Sequence, residues 1–289
     1  MTRVKALLAL FLFCMATVTL RAQPDIHDTP DDRILFDEYL AYIRAYRSSP
    51  SDIVLERTAL FFLGRPYVAH TLEMGDEEQL VVNLRAFDCT TFVETVIALS
   101  RTASGPSPSF ETFRKELQAI RYRDGDVDGY TSRLHYASDW VYENERKGLL
   151  RNLSGALGGV KEKKLLHFMS SHREAYRRIK TDDEMLGRIV ATEEKMNRRG
   201  GFYYLPKERI AVVSNRIPHL SVILFTTGIE GLDVTHMAFA CRKGEKLTFI
   251  HASSAAKKVV VEEKTVSDYC LGQRSCTGII VAEINCGDR

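Results

Sequence analysis

The spacing of the apolar residues changes once along this chain, and that change limits the folds open to it. Before position 198 they recur at helical spacing. Leu35, Tyr39, Tyr42, Ile43 and Tyr46 mark an amphipathic helix over 33–47. Ser51, after the Ser48-Ser49-Pro50 stop, is placed to cap a second helix reaching 63, which Gly64-Arg65-Pro66 ends. A helix beginning near Cys89 carries Phe92, Val93, Val96, Ile97 and Leu99 and stops before Ser104-Gly105-Pro106. Further helices are expected over 109–120 and 134–147, with two polar ones between 167 and 197. From Gly201 the pattern becomes β-branched runs with short polar breaks, at 222–226, 234–241, 246–251, 257–262 and 278–284. Helices first and strands last argue for an α+β fold, an antiparallel sheet covered by the earlier helices. Between these elements, 23–32 reads as a loose arm, 67–84 as extended chain with a short strand near its end, and 151–165 as irregular. No repeat or linker interrupts the pattern. Residues 23–289 therefore read as one domain, helical over 33–198 and a sheet over 201–286.

The first 22 residues stand apart. Arg3 and Lys5 precede an apolar run over 6–20, and Arg21-Ala22-Gln23 follows. This is the pattern of a secretory signal peptide, with an uncleaved anchor as the competing reading. No other stretch approaches the roughly 20 apolar residues a spanning helix needs. An exported, periplasmic protein with no membrane span after signal removal is expected. The net charge of +2 gives no basic footprint for nucleic acid.

Export changes how the six cysteines read. Cys14 leaves with the signal, and Cys89, Cys241, Cys270, Cys276 and Cys286 remain. An odd number in an oxidising compartment leaves a thiol to explain. The last four could form up to two disulfides in any of three pairings. Cys89 is the odd one out, either a buried core residue or a nucleophile. It opens a helix just after Asp88, and a helix N-terminus favours the thiolate.

A nucleophile needs a base, and two histidines fall in the strand runs. Arg242-Lys243-Gly244-Glu245-Lys246 is a strong turn signal between them. A hairpin centred on Lys243-Gly244 sets His236 directly opposite His251, with β-carbons about 5 Å apart. A slip of one residue would separate their faces. The trio reads as a Cys-His-His relay in which Cys89 attacks, His236 takes the thiol proton and His251 orients His236.

The block DCTTFVE around Cys89, THMAFA around His236 and FIHASS around His251 resembles the NlpC-type, papain-like cell-wall cysteine hydrolases. The GRPYVAHTLE segment with Tyr67 resembles their Gly-x-Pro-Tyr element. With GYTSRLHYASDW over 129–140, the chain is most similar to the N-acetylmuramoyl-L-alanine amidase-like branch. The resemblance implies a papain-like core and cleavage between N-acetylmuramic acid and L-alanine in small muropeptides. It also implies Cys89, His236 and His251 as catalytic residues, no metal or cofactor, and a monomer. Arg133, His135 and Tyr136 are candidates to line the substrate groove, with an aromatic helix face packed in the core as the equal alternative. Asp88, Thr235 and Ser253 flank the catalytic positions as further substrate contacts, and Tyr67 is a candidate oxyanion donor. One departure is visible: where such proteins often carry Gly-Asp before the first core strand, this chain has His219-Leu220-Ser221. The rival functions are a D-glutamyl–diamino acid endopeptidase on the same site and a non-catalytic muropeptide binder. Asp124, Asp126 and Asp128 copy the front of a calcium loop, but His135 stands where its bidentate Glu is needed, so a polar turn is expected.

Overall fold

The structure is a computed structural model that describes residues 26–285. The expected signal peptide, Cys14 and Cys286 lie outside these residues.

Strand β1 (Ile26–His27) pairs in parallel with β2 (Leu80–Val81). Between them run α1 (Pro30–Ile43) and α2 (Ser51–Phe61). The expected loose arm is thus built into the fold from Ile26. Thr29 accepts from the Asp32 N–H, and the Asp32 carboxylate returns a bond to Thr29 and takes the Leu84 N–H at 2.8 Å. This capping box starts α1 earlier than its apolar spacing indicates. Ser51 is the first residue of α2 rather than its cap, since Pro50 occupies that place.

Helix α3 (Cys89–Ser104) follows, then α4 (Phe110–Arg121) and α5 (Ala137–Arg146). The region expected to be irregular supplies two short strands, β3 (Leu150–Asn152) and β4 (Val160–Glu162). The two polar helices are α6 (Phe168–Ser171), a single turn, and α7 (Asp183–Asn197). Strand β5 (Phe202–Pro206) and helix α8 (Lys207–Val213) lead into β6 (Val222–Thr227), β7 (Val234–Lys243), β8 (Lys246–Ser253) and β9 (Lys258–Val261). Helix α9 (Val266–Gly272) and strand β10 (Cys276–Ile284) complete the described chain.

Eight strands form one sheet in the order β4-β5-β10-β6-β7-β8-β9, with β3 also on β10. Its pairings are antiparallel, as expected. Helices cover both faces. On one, Phe92 of α3 packs with Met237, Phe239, Ile250 and Leu224. On the other, Ile210 and Val213 of α8 and Val266 and Cys270 of α9 pack against Phe225, Ala238, Ala240 and Phe249. Every residue of β6 is consequently buried, which explains its unbroken apolar run. Helices α8 and α9 depart from the expected division of helices first and strands last. Both are seven residues long, too short for apolar spacing to show. A capping signal for α9 was nevertheless present, since Thr265 accepts from the Asp268 N–H at 3.0 Å.

The departure before β6 has a backbone consequence. Leu220 is buried and adopts φ 58°. A left-handed non-glycine residue costs about 1–2 kcal/mol. The turn survives without glycine because the Leu220 N–H bonds to the Ala240 carbonyl at 2.8 Å and its side chain joins the core.

Among the described residues Cys270 and Cys276 form a disulfide that ties α9 to β10, and Cys241 is a buried free thiol. Among the described residues no helix is long and apolar enough to cross a membrane.

Candidate active site

Helix α3 begins at Cys89 because Asp88 caps it. The Asp88 carboxylate accepts from the Thr91 N–H and hydroxyl, each at 2.8 Å, and the Asp88 N–H donates to Thr91 Oγ1 at 2.9 Å. This reciprocal box fixes the first turn and so aims the cysteine. Further along, Glu94 makes a buried ion pair with Arg121 of α4 at 2.6 Å. Arg121 also donates to the Val81 carbonyl at 2.6 Å, so α3, α4 and β2 are locked together behind the site.

The Cys89 thiol meets the backbone of Met237 and the hydroxyl of Thr90. Thr90 Oγ1 in turn lies 3.6 Å from Met237 Sδ. The start of α3 therefore rests on β7 at the residue after His236. Burial pushes the Cys89 thiol up to about 11, with the Asp88 charge adding to the effect. Hydrogen bonds from Met237 and Thr90 oppose this without overcoming it. The thiolate expected from the helix position is thus not the resting form at neutral pH.

His236 and His251 meet, though not in the expected register. The hairpin turns through Gly244-Glu245, and Lys243 pairs with Lys246 and Phe239 with Ile250. That is two residues away from a turn centred on Lys243-Gly244. Because side chains alternate with period two, a shift of two keeps both histidines on one face. They become diagonal neighbours, with His236 Nε2 2.7 Å from His251 Nδ1 and the rings nearly perpendicular at 83°. A bulge contributes as well: Phe225 pairs with His236 and Thr226 with Val234, which leaves Thr235 as the extra, exposed residue. Burial depresses His236 to about 4. His251 falls to about 3, again through burial first and then the His236 charge. Both rings are neutral at pH 7.

Two residues that sequence reasoning passed over complete the surroundings. Tyr269 of α9 places its ring 6.4 Å from His236 and 6.3 Å from His251. Its phenol is raised by burial, then by Glu262 and Cys89. Glu262, just after β9, brings Oε2 to 3.6 Å from His251 Nε2. The signal for Tyr269 was its capped helix, and for Glu262 its place one residue past a strand that pairs with the His251 strand.

The expected substrate contacts fare unequally. Tyr67 is half-buried beside the cysteine, and its phenol is raised by burial and then by Cys89 and Asp88. Its segment is held by a backbone bridge to Phe87 and by the bond from its N–H to the Lys257 carbonyl at 2.9 Å. Thr235 stays exposed next to His236. Asp88 spends a carboxylate oxygen on the helix cap. Arg133 and Tyr136 are buried and His135 is half-buried, and all three border one small cavity. Arg133 is buried against Glu73 at 2.5 Å, Glu78 at 3.4 Å and the Leu72 carbonyl at 3.3 Å, which anchors the 71–73 segment. His135 bonds the Tyr130 carbonyl at 2.8 Å, and burial depresses it to about 3. The Tyr136 hydroxyl donates to Glu193 at 2.7 Å and accepts from the Met169 N–H at 3.0 Å. Ser253 is buried and caps the turn after β8 by accepting from the Ala256 N–H at 3.1 Å. In each case the backbone and buried charges of the fold claim the side chain first. Among the described residues no group of three or more His, Cys, Asp or Glu is placed to hold a metal ion.

A family model described as AmiA-like, N-acetylmuramoyl-L-alanine amidase-like, matches residues 57–278. The chain belongs to that family. The matched span of this AmiA-like chain runs from α2 to β10 and includes Cys89, His236 and His251. Among solved structures, it resembles an N-acetylmuramoyl-L-alanine amidase from Bacteroides uniformis at 36% identity. That match covers 81% of this chain and 99% of the other, with a TM-score of 0.72. A protein from Bacteroides fragilis described as a putative xylanase is 38% identical, over 78% of this chain and 99% of the other, with a TM-score of 0.73. A Legionella pneumophila protein at 21% identity and a TM-score of 0.64 shares the fold. A comparison with curated proteins returns no match.

Proposed function

We propose that this AmiA-like protein is a cysteine amidase that cleaves the bond between N-acetylmuramic acid and L-alanine in peptidoglycan fragments. Cys89 is the nucleophile, His236 the base and His251 its orienting partner, on a papain-like arrangement of the NlpC type. The observation that carries the reading is the 2.7 Å contact between His236 Nε2 and His251 Nδ1. It occupies one nitrogen of His236 and leaves Nδ1 as the basic atom, on the residue next to the one Cys89 touches.

Each step follows from neutral starting groups. As Cys89 Sγ attacks the lactyl carbonyl carbon, its proton passes to His236 Nδ1. The oxyanion is met by the Cys89 N–H, one of the first-turn donors that have no partner inside a helix, and by the Tyr67 hydroxyl. The C–N bond then breaks, and the L-alanine amine leaves with the proton from His236. This produces a thioester on Cys89. Water, deprotonated by His236, attacks the thioester, releases the muramic carboxylate and restores the thiol. His251 holds the His236 ring through both steps, the part a carboxylate plays in a serine triad.

The apolar run over 6–20, the small-residue end at Ala22 and the Cys270–Cys276 disulfide support an exported protein in an oxidising compartment. Incubation with a defined disaccharide-tetrapeptide, followed by mass analysis, tests the function. The expected products are free disaccharide and a peptide beginning with L-alanine. A dipeptide left on the sugar would mean cleavage after D-glutamate instead. An unchanged substrate would mean that the site binds without catalysis.

A further inference from the structure

We infer that Glu262 is a positioning residue that selects the proton arrangement of the histidine pair. The inference rests on the reading of His236 as the base. For His236 Nδ1 to receive the thiol proton, the ring's own proton must sit on Nε2. That N–H then donates to His251 Nδ1, which must be bare. A neutral His251 with a bare Nδ1 carries its proton on Nε2. Among the described residues, His251 Nε2 is buried and has no hydrogen-bond partner. The atom nearest to it by charge is Glu262 Oε2 at 3.6 Å, a little beyond hydrogen-bond reach.

Glu262 is held for this task from several sides. Its Oε1 accepts from the Glu263 and Lys264 N–H groups at 2.9 and 3.2 Å, which leaves Oε2 turned to the histidine. Its own N–H bonds to the Phe249 carbonyl at 2.8 Å, and its carbonyl accepts from Thr248 Oγ1 at 2.5 Å. Residue 262 is thereby tied to the strand that carries His251. The opposite proton arrangement would point a bare nitrogen lone pair at a carboxylate and leave His236 Nδ1 protonated, unable to act as base. Glu262 disfavours that arrangement by charge alone. It also stabilises the positive charge that forms on the pair when the thiol proton arrives. Behind metal-bound histidines, carboxylates that set the tautomer in this way are worth about 10–100-fold in function, and the same order is taken for this pair.

Glu262→Gln isolates the effect. Its Oε1 can keep both turn N–H bonds, while an NH2 group replaces the oxygen that faces His251. Two-bond nitrogen–proton spectra of histidine-labelled protein report which ring nitrogen carries each proton. The wild-type chain is expected to show His236 and His251 both as the Nε2–H form, and Glu262→Gln to move His251 to the Nδ1–H form. With a muropeptide substrate, kcat is expected to fall about 10–100-fold with KM unchanged. Glu262→Ala gives a second reading of the tautomers should Gln disturb the turn. Tautomers that stay the same in both variants overturn the inference. A tautomer switch in a protein whose turnover survives Cys89→Ala would leave Glu262 in its role and overturn the catalytic reading instead.

Discussion

Cys89 shows two effects in opposition at a single residue. A helix terminus stabilises a thiolate by about 1 kcal/mol. That is less than one pKa unit, which is worth about 1.4 kcal/mol, and burial pushes the thiol up to about 11. The resting pair is therefore neutral thiol and neutral imidazole, and in the proposed reaction the proton moves as substrate is attacked. The pH profile follows with a definite sign. A base depressed to about 4 loses its function only when it is protonated. The acid limb of kcat/KM is therefore expected near pH 4, with a plateau through neutrality. An acid limb between pH 6 and 7 would contradict the burial argument. The same reasoning makes iodoacetamide alkylation of Cys89 slow at pH 7 and faster as the pH climbs toward 11. The candidate trio was legible in the sequence because Cys89, His236 and His251 lie in three short, chemically loaded blocks. The register was not, since either two-residue window around Gly244 makes a turn. The contact between His236 and His251 survived because an even shift keeps both on one face.

At the scale of elements, the block around Cys89 does more than carry the proposed nucleophile. Glu94 lies one turn and a half further along α3, and its only described ion-pair partner is Arg121, 2% exposed like itself. Removing one member of such a pair strands a buried charge and costs about 3–5 kcal/mol, whereas replacing both can be neutral. Arg121→Leu is expected to lower the urea midpoint by that equivalent, and the double variant with Glu94→Leu to recover most of it. Equal losses in the single and double variants would show that α3 and α4 are held by apolar packing alone. A second element, α9, carries Tyr269 over the histidines and is stapled by Cys270–Cys276. Closing so short a loop contributes about 2 kcal/mol in the chain-entropy picture. The long helix α3 and the strands of the sheet could be read from apolar spacing. The short elements β3, β4, β5, α8 and α9 could not, because helices of under two turns and strands of three to five residues leave no measurable period. Core packing could be raised from the sequence for Arg133 and Tyr136, but their partners could not. Glu73 and Glu193 are set by tertiary contacts that local spacing does not encode.

Over the whole molecule, the buried histidines couple stability to pH. His135 and His251 sit at about 3 and His236 at about 4 in the folded chain. An unfolded histidine protonates near 6.5. Below that value the unfolded chain binds more protons, so the stabilisation from neutral burial, complete above pH 6.5, is lost as the pH falls toward 3. Each histidine contributes a slope of about 1.4 kcal/mol per pH unit in that window. Urea unfolding at pH 7 and pH 5 is expected to show a marked loss at pH 5. Equal midpoints would mean that the rings titrate normally. Both sheet faces are helix-covered, yet the start of α3 and the ends of β7 and β8 converge at one place. The proposed chemistry sits there.

A single-turnover reaction with a disaccharide-tetrapeptide, quenched in acid and read by intact and peptide mass, tests the central claim most directly. The expected result is an adduct on the Cys89 peptide equal to the disaccharide acyl group without any amino acid, absent in Cys89→Ser. Turnover that proceeds undiminished in Cys89→Ala, or an adduct that retains L-alanine and D-glutamate, would contradict it.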